Sequence, residues 1–116
     1  MDADHALRVI RETREHVMKR FSTEDRNIMP RRASADVLLG SSVKDLLNGA
    51  RHVLWMLDEM ELWIADQTTM DAKKWEKVQR WLGFAQGALW AFGIYTIDEM
   101  RKQNTSEAPQ EGAPSS

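Results

Sequence analysis

Residues 75–100, WEKVQRWLGFAQGALWAFGIYTIDEM, carry more apolar surface in one helical period than any other stretch of the chain. Trp75, Val78, Leu82, Ala85, Leu89 and Phe92 recur at steps of three and four, the stripe that 3.6 residues per turn places on one face. A second row, Trp81, Phe84, Ala88 and Tyr95, runs beside it, and Trp90, Ile94 and Ile97 fall on roughly the opposite side. The spacing predicts a single helix over about 70–102. From Phe84 onward that helix is apolar nearly all round, so it has to be covered on several sides, by a core, a partner subunit or a membrane.

The membrane fits poorly. Only 17 uncharged residues separate Arg80 from Asp98, and they include Gln86, Thr96 and three glycines. A span needs about 20 predominantly apolar residues, and the flanking charges show no basic asymmetry. Gly83 and Gly87 stand one turn apart in the small-xxx-small spacing that lets two helices approach closely. Each mid-helix glycine costs about 1 kcal/mol relative to alanine, so close helix contact is the expected compensation.

A chain of 116 residues makes one domain with a modest core, and a partner subunit would help to cover such a helix. The absence of cysteine excludes disulfides, thiolate nucleophiles and thiolate metal sites, and agrees with a reducing cytoplasm. The first residues, MDADHALRVIRETREH, are charged from position 2 and lack an apolar run, so no secretory leader is expected. A net charge of −2 argues against general nucleic-acid binding. The charge is uneven, with 8 Lys+Arg against 6 Asp+Glu in residues 1–32 and 8 against 12 thereafter.

Asp2 or Asp4 can cap a first helix over about 4–21, whose apolar side is Leu7, Ile10, Val17, Met18 and Phe21. Arg8 with Glu12 and Arg11 with Glu15 make i,i+4 pairs on a solvated face that also carries His5 and His16. Residues 22–40 break the pattern. Pro30 pushes Met29 out of helical geometry, and Arg26, Arg31 and Arg32 make this an irregular basic linker able to meet an anionic ligand or partner. Ser42 and Asp45 open a second helix over about 42–66, with a core stripe through Val43, Leu46, Ala50, Val53, Leu57, Met60 and Ile64. Thr68 with Asp71 signals the next start, and so short a connection makes the two long helices antiparallel neighbours. Residues 104–116, polar and rich in Pro and Gly, read as a disordered tail after a single helical domain over 1–103.

A turn centred near Thr68 sets residue 52 beside about 84 and residue 58 beside about 78. Asp58, Glu59 and Glu61 then face Lys73, Lys74 and Lys77 as surface ion pairs. Asp98 and Glu99 lie some 30 Å further along at about 1.5 Å per residue. One chain cannot bring both acidic groups to one metal, which weakens a metal-dependent helical nucleotide pyrophosphohydrolase, the sharpest enzyme reading. None of the three histidines stands in a triad frame with Ser and Asp, so neither catalytic nor metal-ligating residues are assigned and no cofactor is expected.

Trp55 and Leu62 on the second helix, with Gly83, Gly87, Trp90 and Ile94 on the third, give the hairpin apolar backs expected to form an interface in a homo-oligomeric helical bundle. The second role open to Trp55 or Trp90 is to stack a planar ligand, with Arg31, Arg32, Arg51 or Arg80 supplying cations.

RWLGF at 80–84, QGALW at 86–90 and GIYTIDEMR at 93–101, preceded by ARHVLWM at 50–56, resemble small helical proteins of unknown function encoded by tailed bacteriophages. The likeness covers about half the chain and transfers no functional residue. It implies an accessory protein in the host cytoplasm that counters host defence or redirects host machinery. The expected function is that of a non-catalytic, oligomeric all-α protein sequestering a small anionic nucleotide-type signal. Its rival is an inhibitor or adaptor that uses the apolar surface against a host protein.

Overall fold

The computed structural model describes residues 2–21 and 28–105. Four helices and no strand occur among them: α1 (Ala3–Arg20), α2 (Val43–Ala65), α3 (Ala72–Ala91) and α4 (Ile97–Gln103). Arg26 and residues 106–116 of the expected linker and tail lie outside the described residues. No helix among the described residues is long and apolar enough to cross a membrane.

Each helix starts where a side chain satisfies an orphan backbone donor. Asp2 accepts from the His5 N–H at 2.8 Å, Ser42 from Asp45 at 3.1 Å and Asp71 from Lys74 at 2.8 Å. The third of these replaces the cap expected at Thr68. The central element is α2, which packs against both α1 and α3. Its Val53, Leu54, Leu57, Met60 and Ile64 are fully buried, together with Val9, Ile10 and Val17 of α1 and Val78, Ala85 and Leu89 of α3.

The single helix expected over 70–102 is broken. Gly93 takes φ +75°, a left-handed conformation that glycine adopts without Cβ strain. The N–H groups of Ile94 and Tyr95 both turn back to the Leu89 carbonyl, at 2.8 and 3.2 Å. A capping box of Thr96 and Glu99 then restarts the chain as α4, with reciprocal bonds of 3.0 and 3.1 Å. The reversal swings Ile94 and Tyr95 into the core. Ile94 is therefore buried within the protomer, not exposed beside Trp90.

Side chains of α1 hold the returning segment. His5 Nε2–H donates to the Gln103 carbonyl at 2.9 Å and His16 Nε2–H to the Ile94 carbonyl at 2.7 Å. The His16 ring also stacks on Tyr95 with centroids 4.4 Å apart. These two histidines, expected on a solvated face, lie three turns apart along one edge of α1 and grip both ends of the segment. Between them Gln103, buried, bonds Tyr95, Thr13 and Gln86. Burial pushes the Tyr95 phenol above its ordinary pKa, against the hydrogen bonds to Thr13 and Gln103. The backbone bond from Thr96 holds the Glu99 carboxyl below its usual range. No buried side-chain polar atom among the described residues lacks a hydrogen-bond partner.

The charge pairing also differs from expectation. Arg14 of α1 bridges Asp58 at 3.0 Å and Glu61 at 2.9 Å, tying α1 to α2. Lys74 and Lys77 instead lie over the Trp63 ring, each 4.8 Å from its centroid, with Lys77 5.3 Å from Trp81. An ammonium over an indole face keeps its outer side in water, whereas one guanidinium nitrogen of Arg14 makes charge-assisted bonds to both carboxylates.

Candidate functional site

Two helix faces and one loop enclose a groove of about 560 Å³. From α2 come Gly49, His52, Trp55 and Met56, at the steps of three and four that share a face. From α3 and its C-cap come Trp81, Phe84, Ala88 and Phe92, one stripe spaced three, four and four residues apart, with Arg80 at its edge. Arg32, Ala33, Ser34, Ala35, Val37 and Leu39 form the third wall. The rings make a continuous aromatic surface. His52 stacks on Trp55 at 5.5 Å and meets Phe84 edge-on at 6.5 Å, Trp55 lies 5.7 Å from Trp81, and Trp81 meets Trp63 at 4.7 Å.

Gly49 sets the depth of the groove. A Cβ there would lie 2.4 Å from the tip of the Phe92 ring and 3.1 Å from Leu39. Only a residue without a side chain lets both walls close on α2.

Two hydrogen bonds pin the loop to α2. The Arg31 N–H donates to the Arg51 carbonyl at 3.0 Å, and the Ala33 N–H donates to His52 Nδ1 at 3.1 Å. His52 must therefore be neutral with its proton on Nε2. Burial, and secondarily the nearby Arg32 charge, push its pKa below the ordinary imidazole value. Between the two anchors the Arg32 guanidinium lies over the Trp55 ring, 5.1 Å from its centroid.

On the other side of the same loop is a second cavity of about 340 Å³, bordered by Arg31, Arg32, Lys44, Asn48 and Arg51. Among the described residues, the charged side chains that border it are these four cations. It shares Arg32, Ala33, Ser34, Val37 and Leu39 with the aromatic groove. An aromatic, mostly apolar compartment thus adjoins a cationic one, which is the division of a ligand with a planar body and an anionic tail.

The structure brings Arg31, Arg32 and Arg51 together at the basic cavity and places Arg80 and Trp55 at the groove. Trp55, expected at an outer interface, is instead half-buried against His52, Trp81 and Arg32. Trp90 is not among the groove residues: nine positions beyond Trp81, about half a turn out of phase, it faces outward and is 54 % exposed. Leu62, at 67 %, is also exposed. So are Gly83 and Gly87, where an added Cβ would meet nothing within 4 Å. His52, Trp81, Phe84 and Lys44 were not singled out as site residues from the sequence. The facing of residue 52 with residue 84 across the connection was the available signal for the first three.

A third cavity, of about 220 Å³, lies where α4 meets α1, bordered by Arg8, Glu12, His16, Tyr95, Glu99 and Lys102. Its charges balance, and Arg8 is held by Glu12 at 3.4 Å and by the Thr105 carbonyl at 3.0 Å. No group of three or more His, Asp or Glu among the described residues is gathered as a metal site. Compared with known protein families, with curated proteins and with solved structures, the chain has no match.

Proposed function

We propose that this protein is a non-catalytic helical binding protein that holds a small planar anion of the nucleotide class, with its base in the aromatic groove and its phosphates in the adjoining basic cavity. One observation carries the reading: a groove of stacked rings and a cavity bordered by Arg31, Arg32, Lys44 and Arg51 share a single loop as their common wall. Base stacking on aromatic side chains is worth about 1–3 kcal/mol per base, and charge-assisted hydrogen bonds to phosphate are roughly twice as strong as neutral ones. The joint volume falls within the roughly 300–1,000 Å³ of small-molecule sites.

Equilibrium titration against nucleoside mono-, di- and triphosphates, cyclic dinucleotides and inorganic pyrophosphate tests it. A nucleotide is expected to bind, to be recovered chemically intact, and to lose affinity about tenfold or more in Arg31→Ala/Arg51→Ala. If nothing in the series binds below about 1 mM, the reading is wrong.

In this reading α2 and α3 form an antiparallel hairpin whose outward Leu62, Gly83, Gly87 and Trp90 pair subunits. Exposed Trp90 and Leu62 also favour the rival, capture of another protein. Sedimentation velocity separates self-association from a monomer. Protein capture would survive Arg31→Ala/Arg32→Ala, whereas nucleotide binding would not.

A further inference from the structure

The polar side chains that line the aromatic groove are almost all hydrogen-bond donors. Trp55 and Trp81 bring indole N–H groups, Arg32 and Arg80 bring guanidinium N–H groups, and none of these accepts. The backbone carbonyls of the two helix walls are engaged inside α2 and α3, and the Ser34 carbonyl takes the Val37 N–H at 3.1 Å. Histidine can donate or accept, but at His52 the choice is already made. Its Nδ1 takes the Ala33 N–H at 3.1 Å, which leaves Nε2 protonated and donating. The contacts with Trp55 and Phe84, at 5.5 and 6.5 Å, orient the ring. Among the described residues no group takes the Nε2–H, and no buried side-chain polar atom lacks a partner. The Nε2–H therefore stands at the surface of the groove that His52 lines, open to a ligand.

Resting on the reading that a nucleotide base occupies this groove, we propose that His52 reads the base and that the site takes 6-oxopurine nucleotides, guanine or hypoxanthine, in preference to adenine. A 6-oxopurine presents O6 and N7 on one edge as two adjacent acceptors, whereas adenine presents N7 beside an N6 amino donor. The Nε2–H of His52 donates to O6 of the oxo base. On adenine held the same way it faces an amino N–H, and two donors facing each other leave both without a partner. The indole N–H groups and Arg80 carry the same preference for acceptors. The bond to Ala33 is what makes the choice one-sided, because an imidazole free to exchange tautomers would accept from an amino group as readily as it donates to an oxo group.

The test is a comparison of ratios. Inosine and adenosine 5′-diphosphates, which differ only in the C6 substituent and the N1 proton, are titrated against wild type and His52→Phe, with guanosine 5′-diphosphate alongside. In wild type the two oxo compounds should bind about tenfold more tightly than adenosine 5′-diphosphate. His52→Phe keeps a ring beside Trp55 and removes both nitrogens. Loosening of the loop weakens every ligand alike, so the oxo-to-amino ratio, expected to fall to about twofold or less, reads the donor separately from the anchor. A second readout needs no variant: in wild type, bound inosine 5′-diphosphate should slow exchange of the His52 Nε2–H with water, and inorganic pyrophosphate, which has no base, should leave it unchanged. If nucleotides bind but adenosine 5′-diphosphate matches the oxo compounds, or the gap survives in His52→Phe, or Nε2–H exchange does not respond, the His52 proposal is overturned while the nucleotide reading stands. If neither nucleotides nor pyrophosphate bind wild type, the nucleotide reading fails and takes the proposal with it.

Discussion

His52 joins the groove wall to a proton, and the size of that link follows from its contacts. Its Nδ1 accepts the Ala33 N–H at 3.1 Å and its ring stacks on Trp55. Burial first, then Arg32, lower its pKa below the ordinary 6.5. Well above pH 6.5 the ring is neutral in folded and unfolded chain alike, and the anchor is at full strength. As pH falls below 6.5 the unfolded or detached state takes up a proton that the anchored ring does not. Stability of the anchor then declines at no more than about 1.4 kcal/mol per pH unit, and solvent reaching a half-exposed ring reduces that slope. Below the lowered folded value the ring charges in place, Nδ1 stops accepting, and His52 repels Arg32.

The perturbation separating the anchor from the stack is His52→Phe, which keeps an aromatic ring beside Trp55 and removes the acceptor. One such hydrogen bond is worth about 1 kcal/mol, so the Ala33 amide should exchange about fivefold faster at pH 7.5 after correction for its intrinsic rate. His52→Ala also loses about 0.5–1.5 kcal/mol of ring contact, giving a loss on the order of 10- to 60-fold. In wild type the corrected protection of Ala33 should drop between pH 7.5 and 5.5. In His52→Phe it should be flat across that range. A pH dependence that persists in His52→Phe, or that is missing from wild type, refutes the assignment of His52 as the titrating anchor.

Other sites have definite expectations. Gly93→Ala forces a Cβ into φ +75° and should destabilise the fold by about 1–2 kcal/mol, lowering Tm by roughly 4–8 °C per kcal/mol. Gly83→Ala and Gly87→Ala meet open space and should each raise thermal stability by up to about 1 kcal/mol in a monomer; sedimentation would instead show weakened self-association if that face pairs subunits closely. Gln103→Leu removes the bonds to Tyr95, Thr13 and Gln86, each of which keeps one other partner, and should cost about 1–2 kcal/mol in a denaturant titration. Gly49→Ala gains helix propensity but drives the Phe92 ring tip from a 2.4 Å overlap, so a net loss of up to about 2 kcal/mol should accompany weaker nucleotide binding.

How far the chain could be read in advance depended on the range of the forces involved. Helical periodicity is local, so the spans of about 4–21 and 42–66 lie within a residue or two of α1 and α2. The His52 and Phe84 rings, paired by counting from a turn at Thr68, lie 6.5 Å apart. The break after Ala91 has local signals too, but the periodicity overrides them. An uninterrupted apolar run masks Gly93 as a helix-ending residue and the capping box in Thr96-Ile97-Asp98-Glu99. Periodicity alone therefore turns Ile94 outward and fuses α4 to α3, whereas the chain reversal buries Ile94.

The remaining gaps are long-range. His5 finds the Gln103 carbonyl 98 positions away, and Arg14 takes the two carboxylates that proximity along the hairpin assigned to lysines. Neither contact leaves a trace in spacing, because hydrogen-bond partners across a core are chosen by packing. The same holds for the basic cavity. The arginines were conspicuous as residue types, but their meeting with Lys44 depends on how the chain leaves Pro30 and is pinned at Arg51 and His52. A chain can therefore advertise its cations and rings while the wall that joins them stays hidden. Here that wall is one short loop held by two of its own N–H groups, one on the Arg51 carbonyl and one on the His52 ring, so the affinity of the proposed ligand should depend on those two bonds as well as on the charges.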